Sequence, residues 1–453
     1  MKIQIPLIGS LIAIVLIGRP ATAQQVLQRY VQEGLQSNLQ LQQEQLHYEK
    51  SLQSLYASRA LFMPQVGIQA AYTLADGGRR IQFPVGDLLN PVYATLNQLT
   101  DSQQFPQIAN VNEQFLPNQF HDTKLRVVQP LFNPDIYFAY KAQKELVTVQ
   151  QAQRQTFENE LKYNIAAAYY QYLQSEEAVA IAGKAQHTLR ELVKVNQKLV
   201  NNQKATRDAV LGAEYELSRV QQQLAEAQKN RQVARAYFNF LLNRDLQTPI
   251  DRDSTLALAA TEGRQVAELT SVALAQRHEL KQLQGGMQAS NQALALNKAN
   301  ALLPKVNVVG DVGYQGFGYN FDSDQQYWLV QFSLSWDLFK GGERKARTQQ
   351  ARLDYQVVEN RMEQLKRQIE LQVIQSYHER ENARQALATA QAGWASAEKN
   401  FQIVRARYLE GQALLIEYTD AQNKYNTAEL MQSVRLYDFL RSEAQLQKTL
   451  SNL

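Results

Sequence analysis

Residues Tyr327 to Gly342 read YWLVQFSLSWDLFKGG. Trp328, Val330, Phe332, Leu334, Trp336 and Leu338 occupy every second position, and Gln331, Ser333, Ser335 and Asp337 lie between the later ones. This is the period of a strand with two unlike faces. Three further segments repeat it. Val66, Ile68, Ala70, Tyr72 and Leu74 oppose Gln65, Gly67, Gln69 and Thr73. Val306, Val308, Gly310, Val312 and Tyr314 oppose Asn307, Val309, Asp311 and Gly313. Leu125, Val127 and Leu131 share a face, and Lys124 and Arg126 take the other. The predicted strands are 64–75, 122–133, 304–315 and 327–340.

Around these strands the chain repeats itself. Leu302-Leu303-Pro304-Lys305-Val306 echoes Phe62-Met63-Pro64-Gln65-Val66, and Leu338-Phe339-Lys340 echoes Leu131-Phe132-Asn133. KATRDAVLGA from Lys204 to Ala213 corresponds to QALLIEYTDA from Gln412 to Ala421. The offset is 240 residues at the prolines and about 207 afterwards, which places 33 extra residues between the two strands of the first half. A tandem repeat of this length implies two copies of one structural unit. Each copy runs helical pair (25–61 and 265–301), strand, loop, strand, and then two long helices. Leu387, Ala390, Trp394, Ala397, Phe401, Val404 and Tyr408 step by three and four, a coiled-coil seam. Leu146, Val149, Phe157, Leu161, Ile165, Ala168 and Tyr172 carry a similar stripe in the first copy. At 1.5 Å per residue, a helix of about 65 residues measures roughly 100 Å.

The 453 residues include no cysteine, and 47 basic residues nearly balance 43 acidic ones. That balance gives no basic patch for nucleic acid. Lys2 precedes an apolar run from Ile3 to Ile17, followed by Ala21-Thr22-Ala23. This is the pattern of a secretory signal peptide over 1–23, since a membrane anchor needs about 20 apolar residues. The expected organisation is then a first repeat over 24–245, a linker over 246–263 and a second repeat over 264–453. The long hairpins fall at 135–245 and 342–450.

A tilted strand of about 9–11 residues spans a bilayer, and apolar-out, polar-in alternation with aromatic ends is the outer-membrane barrel signature. Val66, Ile68, Tyr72, Val306, Val308, Val330, Phe332, Leu334 and Trp336 are the expected lipid-facing residues. Four strands cannot close a barrel, and an open edge in lipid leaves backbone groups unpaired. Chains must therefore pool strands: three copies give twelve, four give sixteen.

With its signal peptide, its two halves of helix–strand–strand–helix, its Leu-Pro-x-Val strand starts and its hairpin tip at Tyr408-Leu-Glu-Gly411-Gln-Ala413, followed by Glu417 and Asp420, the chain resembles the TolC family of outer-membrane efflux proteins. The resemblance implies a mainly α protein with a membrane β-barrel: a homotrimer with a twelve-stranded barrel, four strands per chain, continued by a long periplasmic α-helical coiled-coil barrel. It implies a passive exit duct that meets a periplasmic adaptor protein and an inner-membrane pump. It also implies an aperture at the helical tips, where Tyr408 matches the family's tip tyrosine and Glu417 and Asp420 match its two acidic positions. An arginine often found two residues after the tip glycine is Ala413 here. The first tip has Gln203 where glycine is usual, and Asp208, the candidate partner of Tyr408, falls one position from the expected acid. Adaptor contact is expected at Asn202 to Asp208 and Glu410 to Leu415, through Gln203, Ala205, Thr206, Gly411 and Ala413. A plainer role for the acids is to suit a helix start.

The segment from Ala75 to His121, with Pro84, Pro91, Pro106 and Pro117, reads as a long structureless loop outside the cell, either a partial lid over the mouth or a mobile surface loop. Gly313-Tyr-Gln-Gly316-Phe-Gly318 opens no helix and so makes no phosphate site. The five histidines lack ligand spacing, and no Ser, His and acid constellation stands out, so neither a cofactor, a metal nor an enzyme is expected. The rival reading is a periplasmic coiled-coil scaffold or adaptor whose strands form a soluble sheet.

Overall fold

The computed structural model describes residues 25–252 and 264–451. The expected signal peptide and most of the 246–263 linker lie outside them. The elements in order are α1 (Gln25–Ser37), α2 (Leu39–Ala60), β1 (Gln65–Thr73), β2 (Arg80–Phe83), α3 (Val85–Thr100), β3 (Val111–Gln114), β4 (Phe120–Phe132), α4 (Pro134–Asn201) and α5 (Arg207–Leu241). After these come α6 (Val266–Gln276), α7 (His278–Leu302), β5 (Lys305–Phe317), β6 (Gln326–Ser335), α8 (Glu343–Leu409) and α9 (Leu415–Thr449). Two compact units result. A sheet unit holds Lys50–Val147 and Gly286–Val358, and a helical unit holds the rest of the described chain.

In the sheet unit, β1, β4, β5 and β6 form one antiparallel sheet in that order. The register puts Ile68, Leu125, Val312 and Trp328 in one row across all four strands. The adjacent row, on the opposite face by the pleat, is Gly67, Arg126, Asp311 and Leu329. Arg126 donates to both carboxylate oxygens of Asp311, at 2.8 and 2.7 Å, and Asp311 is buried. On the same face Lys124 reaches Asp122 at 2.5 Å, and the Tyr327 hydroxyl donates to Asp122 at 2.9 Å. The polar face thus satisfies its charges internally. The apolar face does not find cover within the sheet unit's own chain: Ile68 is 79% exposed, Phe332 72% and Trp328 74%. Val66, Tyr72, Val330 and Leu334 are exposed too, and Val306 and Val308 are half-buried. β1 and β6 each have one strand partner among the described residues, so the sheet ends in two open edges. The strands alternate direction, so β1 and β6 run opposite ways, and a second copy could add its β1 to β6 with the alternation intact.

Two expectations need correction. The strand predicted over 327–340 stops at Ser335, whose partner Lys305 is the first residue of β5. Pro304 precedes it, and proline has no N–H to extend the ladder. Trp336 is exposed but lies just past the sheet. The segment 76–121 is not structureless, because β2 and β3 pair antiparallel and α3 lies between them.

Helix starts follow local chemistry. Asn133 accepts the Asp135 N–H at 3.0 Å, with Pro134 as the first helical residue of α4. Asp135 in turn accepts from Asn300 at 2.6 Å and pairs with Lys305. Asn38 accepts the N–H groups of Gln40 and Leu41, both at 3.0 Å, to begin α2, and its amide donates to the Leu241 carbonyl at the end of α5.

The helical unit is packed around tyrosines. Tyr30, Tyr169, Tyr172, Phe238 and Tyr437 share a buried cluster with Leu161, Ile165 and Leu242. Tyr30 meets Phe238 edge-on at 5.0 Å, and its hydroxyl accepts the Asp251 N–H at 2.8 Å. The Tyr172 hydroxyl donates to Glu176 at 2.9 Å. Burial, then that bond, pushes the Tyr172 phenol up to about 12; burial, then the nearby Glu177, does the same to Tyr437. A pKa raised above the unfolded value of about 10 means the folded state holds its proton more tightly. That contribution is fully present below pH about 10 and is lost as pH rises through about 12. Far-UV circular dichroism against pH should therefore show helix loss beginning above pH about 10, and Tyr172→Phe with Tyr437→Phe should move the onset upward.

Candidate functional site

The two hairpin tips of the helical unit are built alike. At the first, Gln203 takes a left-handed backbone with φ 57°, and the N–H groups of Gln203 and Lys204 donate to Val200 (2.9 Å) and Leu199 (2.8 Å). At the second, Gly411 has φ 74°, and the N–H groups of Gly411 and Gln412 donate to Tyr408 (3.0 Å) and Arg407 (2.8 Å). Both are helix-terminating turns that require positive φ at one residue. Glycine adopts it freely; a side chain costs about 1–2 kcal/mol there. Arg407 also donates to the Gln412 carbonyl at 3.2 Å, across the second turn.

Behind the tips α4, α5, α8 and α9 converge. Ala185, Leu189, Leu192, Ala213, Val220, Phe401, Tyr408, Tyr418 and Ala421 form one buried cluster. Ala213 and Ala421, equivalent in the repeat, are both almost wholly buried. A Cβ on Gly212 would stand 3.0 Å from Leu415, so α5 and α9 approach closely. Phe401 stacks on Tyr425 at 5.5 Å and meets Tyr418 edge-on, and Tyr418 touches Tyr408 at 5.1 Å.

Tyr408 is the centre of the polar part. Its hydroxyl donates to Asn196 Oδ1 at 2.6 Å, and the Asn196 amide donates to the Ala209 carbonyl at 3.2 Å. One asparagine on α4 thereby joins α8 to α5. Asn196 is fully buried. Burial raises the Tyr408 phenol above its ordinary range, with the Asn196 bond acting the opposite way. Asp208, exposed at the second position of α5, does not take this place. Glu417, at the third position of α9, accepts the Leu414 N–H at 2.8 Å and so caps its own helix. Leu414 has no side-chain oxygen to return the bond. Asp420 is exposed and pairs with Lys424 at 2.7 Å. Thr206 precedes α5 without a side-chain capping bond, Ala205 and Ala413 are half-buried, and Gly411 and Gln203 are exposed. One step farther along, Arg219 donates to Glu216 at 2.7 Å and to Asn423 at 2.6 Å, joining α5 to α9.

Sequence reasoning missed Asn196, Arg407 and the Arg219–Asn423 link. Asn196 had a signal: it interrupts the apolar stripe of Leu189 and Leu192 at the next helical turn. Among the described residues no group of three or more His, Asp or Glu could hold a metal ion, and no helix is long and apolar enough to cross a membrane. A polar cleft of about 620 Å³ lies elsewhere in the helical unit, but Arg277 at its wall is engaged by Glu279 (2.8 Å) and Gln372 (3.1 Å).

Residues 269–452 match the family described as outer membrane efflux protein. That stretch is similar to an outer membrane efflux protein domain. It covers the second repeat, including both residues of the Tyr408–Glu417 tip. The likeness in fold extends over 94% of the chain, which is superposable on outer-membrane proteins of known structure. OprN matches with 18% identity, 90% of its own chain covered and a TM-score of 0.77. VceC from Vibrio cholerae matches with 16% identity, 97% covered and 0.75. The outer membrane channel MtrE of Neisseria gonorrhoeae, in its open state, matches with 18% identity, 88% covered and 0.73. Comparison with curated protein sequences finds no match. The shared fold accounts for the order helix pair, strand, strand, long hairpin in both halves.

Tyr408→Phe keeps the ring and removes the donor to Asn196, at an expected cost of about 1–3 kcal/mol for a buried acceptor left unpaired. Hydrogen exchange at the α8 and α9 tip amides should then quicken by about tenfold or more. Gln203→Gly should act the other way, slowing exchange at the first tip alone by relief of about 1 kcal/mol.

Proposed function

We propose that the protein is the outer-membrane exit duct of a tripartite efflux or secretion system. It conducts passively what an inner-membrane pump delivers through a periplasmic adaptor. The observation that carries this is the four-stranded sheet, with one exposed apolar face, one internally satisfied polar face and two open edges. In water such a sheet would expose a large apolar patch. In lipid its apolar face is solvated, and the edges are satisfied only by other copies. Three copies give twelve strands around a water-filled interior. The family match and the fold support this reading over a periplasmic scaffold.

The tips are the proposed aperture and docking site. Asn196 and Tyr408 tie the two hairpins of one chain together, so they resist any movement that parts α4 from α8. Threefold symmetry turns Glu417, Asp420 and Asp208 into acidic rings, which favour cations. Lys424 beside Asp420 offsets the second ring. Gln203, Ala205, Thr206, Gly411 and Ala413 present small or turn-forming groups on which an adaptor hairpin can pack closely. Val66, Ile68, Tyr72, Val306, Val308, Val330, Phe332, Leu334 and, just past β6, Trp336 face lipid.

The purified protein should need detergent, migrate as a heat-modifiable trimer and form channels in planar bilayers. Release by osmotic shock as a soluble monomer would overturn the reading. In the bilayer, Glu417→Gln should shift the reversal potential toward zero under a salt gradient, and Lys424→Gln should shift it toward stronger cation preference. Equal reversal potentials in all three proteins would remove the rings from the mechanism.

A further inference from the structure

The insert between β1 and β4 is a built miniature domain. Asn90 and Asn97, seven residues apart on one face of α3, each clamp the backbone N–H and carbonyl of a single residue in the extended segment beyond the helix. Asn90 donates to the Ile108 carbonyl and accepts its N–H, both at 2.9 Å. Asn97 does the same with Phe105, at 2.7 and 3.0 Å. Asn110 answers with a bond to Asp87 (2.9 Å) and one from the Asp87 N–H (3.1 Å). A Cβ on Gly86 would lie 2.5 Å from the Ile108 carbonyl oxygen, so only glycine allows this approach. The base of the insert is tied by Gln114 to the carbonyls of Ala75 (3.1 Å) and Leu116 (3.0 Å).

The clamps fix which side of α3 faces out. At about 100° per residue, Leu88, Val92, Thr95 and Leu99 fall opposite Asn90 and Asn97. Leu88 is 69% exposed, Val92 50% and Leu99 78%. The only charge in α3 is Asp87, and the whole insert carries Asp76, Asp87, Asp101 and Glu113 against Arg79 and Arg80. An acidic insert without lysine is poorly matched to an anionic lipid surface. By topology it leaves the sheet at the end opposite to where α2 and α4 join it, and it springs from β1, an open edge.

We propose that the Leu88, Val92 and Leu99 face of α3 packs against the same insert of neighbouring copies, so that three inserts cover the outer mouth of the barrel. This rests on the trimeric duct proposed above, whose closure at β1 brings copies together at that end. The lengths agree. Sixteen residues of α3 span about 24 Å. Twelve strands about 4.8 Å apart, tilted by about 40°, enclose a cylinder about 24 Å across between backbones. A helix rooted on the wall therefore reaches the axis.

The chain has no cysteine, so single thiols can be placed without removing any. Leu88→Cys, Val92→Cys and Leu99→Cys, with Gln98→Cys beside the face as control, are oxidised in intact cells. Trimer content is read separately by native mass spectrometry. Covalent dimers from the face positions and few from Gln98→Cys are expected, together with a severalfold rise in bilayer conductance for Leu88→Asp combined with Leu99→Asp. A trimer whose face thiols form no dimers and react with a membrane-impermeant maleimide overturns the mouth cover and leaves the duct. A trimer whose face thiols react only with a lipid-soluble reagent also overturns it, in favour of a lipid contact. Absence of the trimer overturns the duct and the cover together.

Discussion

A backbone amide that has left water must find another partner, and in the proposed duct that requirement falls on the outer edges of β1 and β6. Helices meet it within themselves; the four-stranded sheet does not. Each unpaired group in hydrocarbon costs several kcal/mol, so an edge of nine or ten residues is far more costly than a domain's whole net stability. The alternating strand direction offers the remedy, because β6 and β1 are already antiparallel to one another. In the proposed duct the apolar row of Ile68, Leu125, Val312 and Trp328 would have lipid beside it, and the Arg126–Asp311 pair would face the enclosed water.

Much of this was legible in the sequence because two periods are written plainly in it. The strands alternate by two over ten residues, and the second hairpin steps by three and four over more than twenty. The repeat offset alone places the extra residues of the first half between its two strands. What stayed hidden has a common cause. The insert is held by Asn90, Asn97 and Asn110 reading backbone amides, and such clamps leave no periodic trace. Its prolines and asparagines look like loop punctuation. The end of β6 was misplaced because Trp336 and Leu338 continue the alternation, although Pro304 leaves them without a strand to pair with. At the tips, Tyr408 was visible and its partner was not: Asn196 lies more than two hundred residues from Tyr408, and only the fold brings them together.

The tip cluster also shows how packing and polarity share the work. Alanines and aromatics of four helices make the contact area. One buried asparagine fixes the register by accepting from α8 and donating to α5. Burial makes that asparagine consequential, since a polar group without its partner there costs more than the bond itself contributes.

The two tips share a backbone turn and differ in the residue at its left-handed position, Gln203 in one and Gly411 in the other. In the proposed trimer, two unlike tips per chain would make a ring of seats of alternating kind. A docking ring of identical subunits would then meet a symmetry mismatch at every second place. It could fit all of them only by recognising what both kinds have in common, the turn itself and the alanines at 205 and 413.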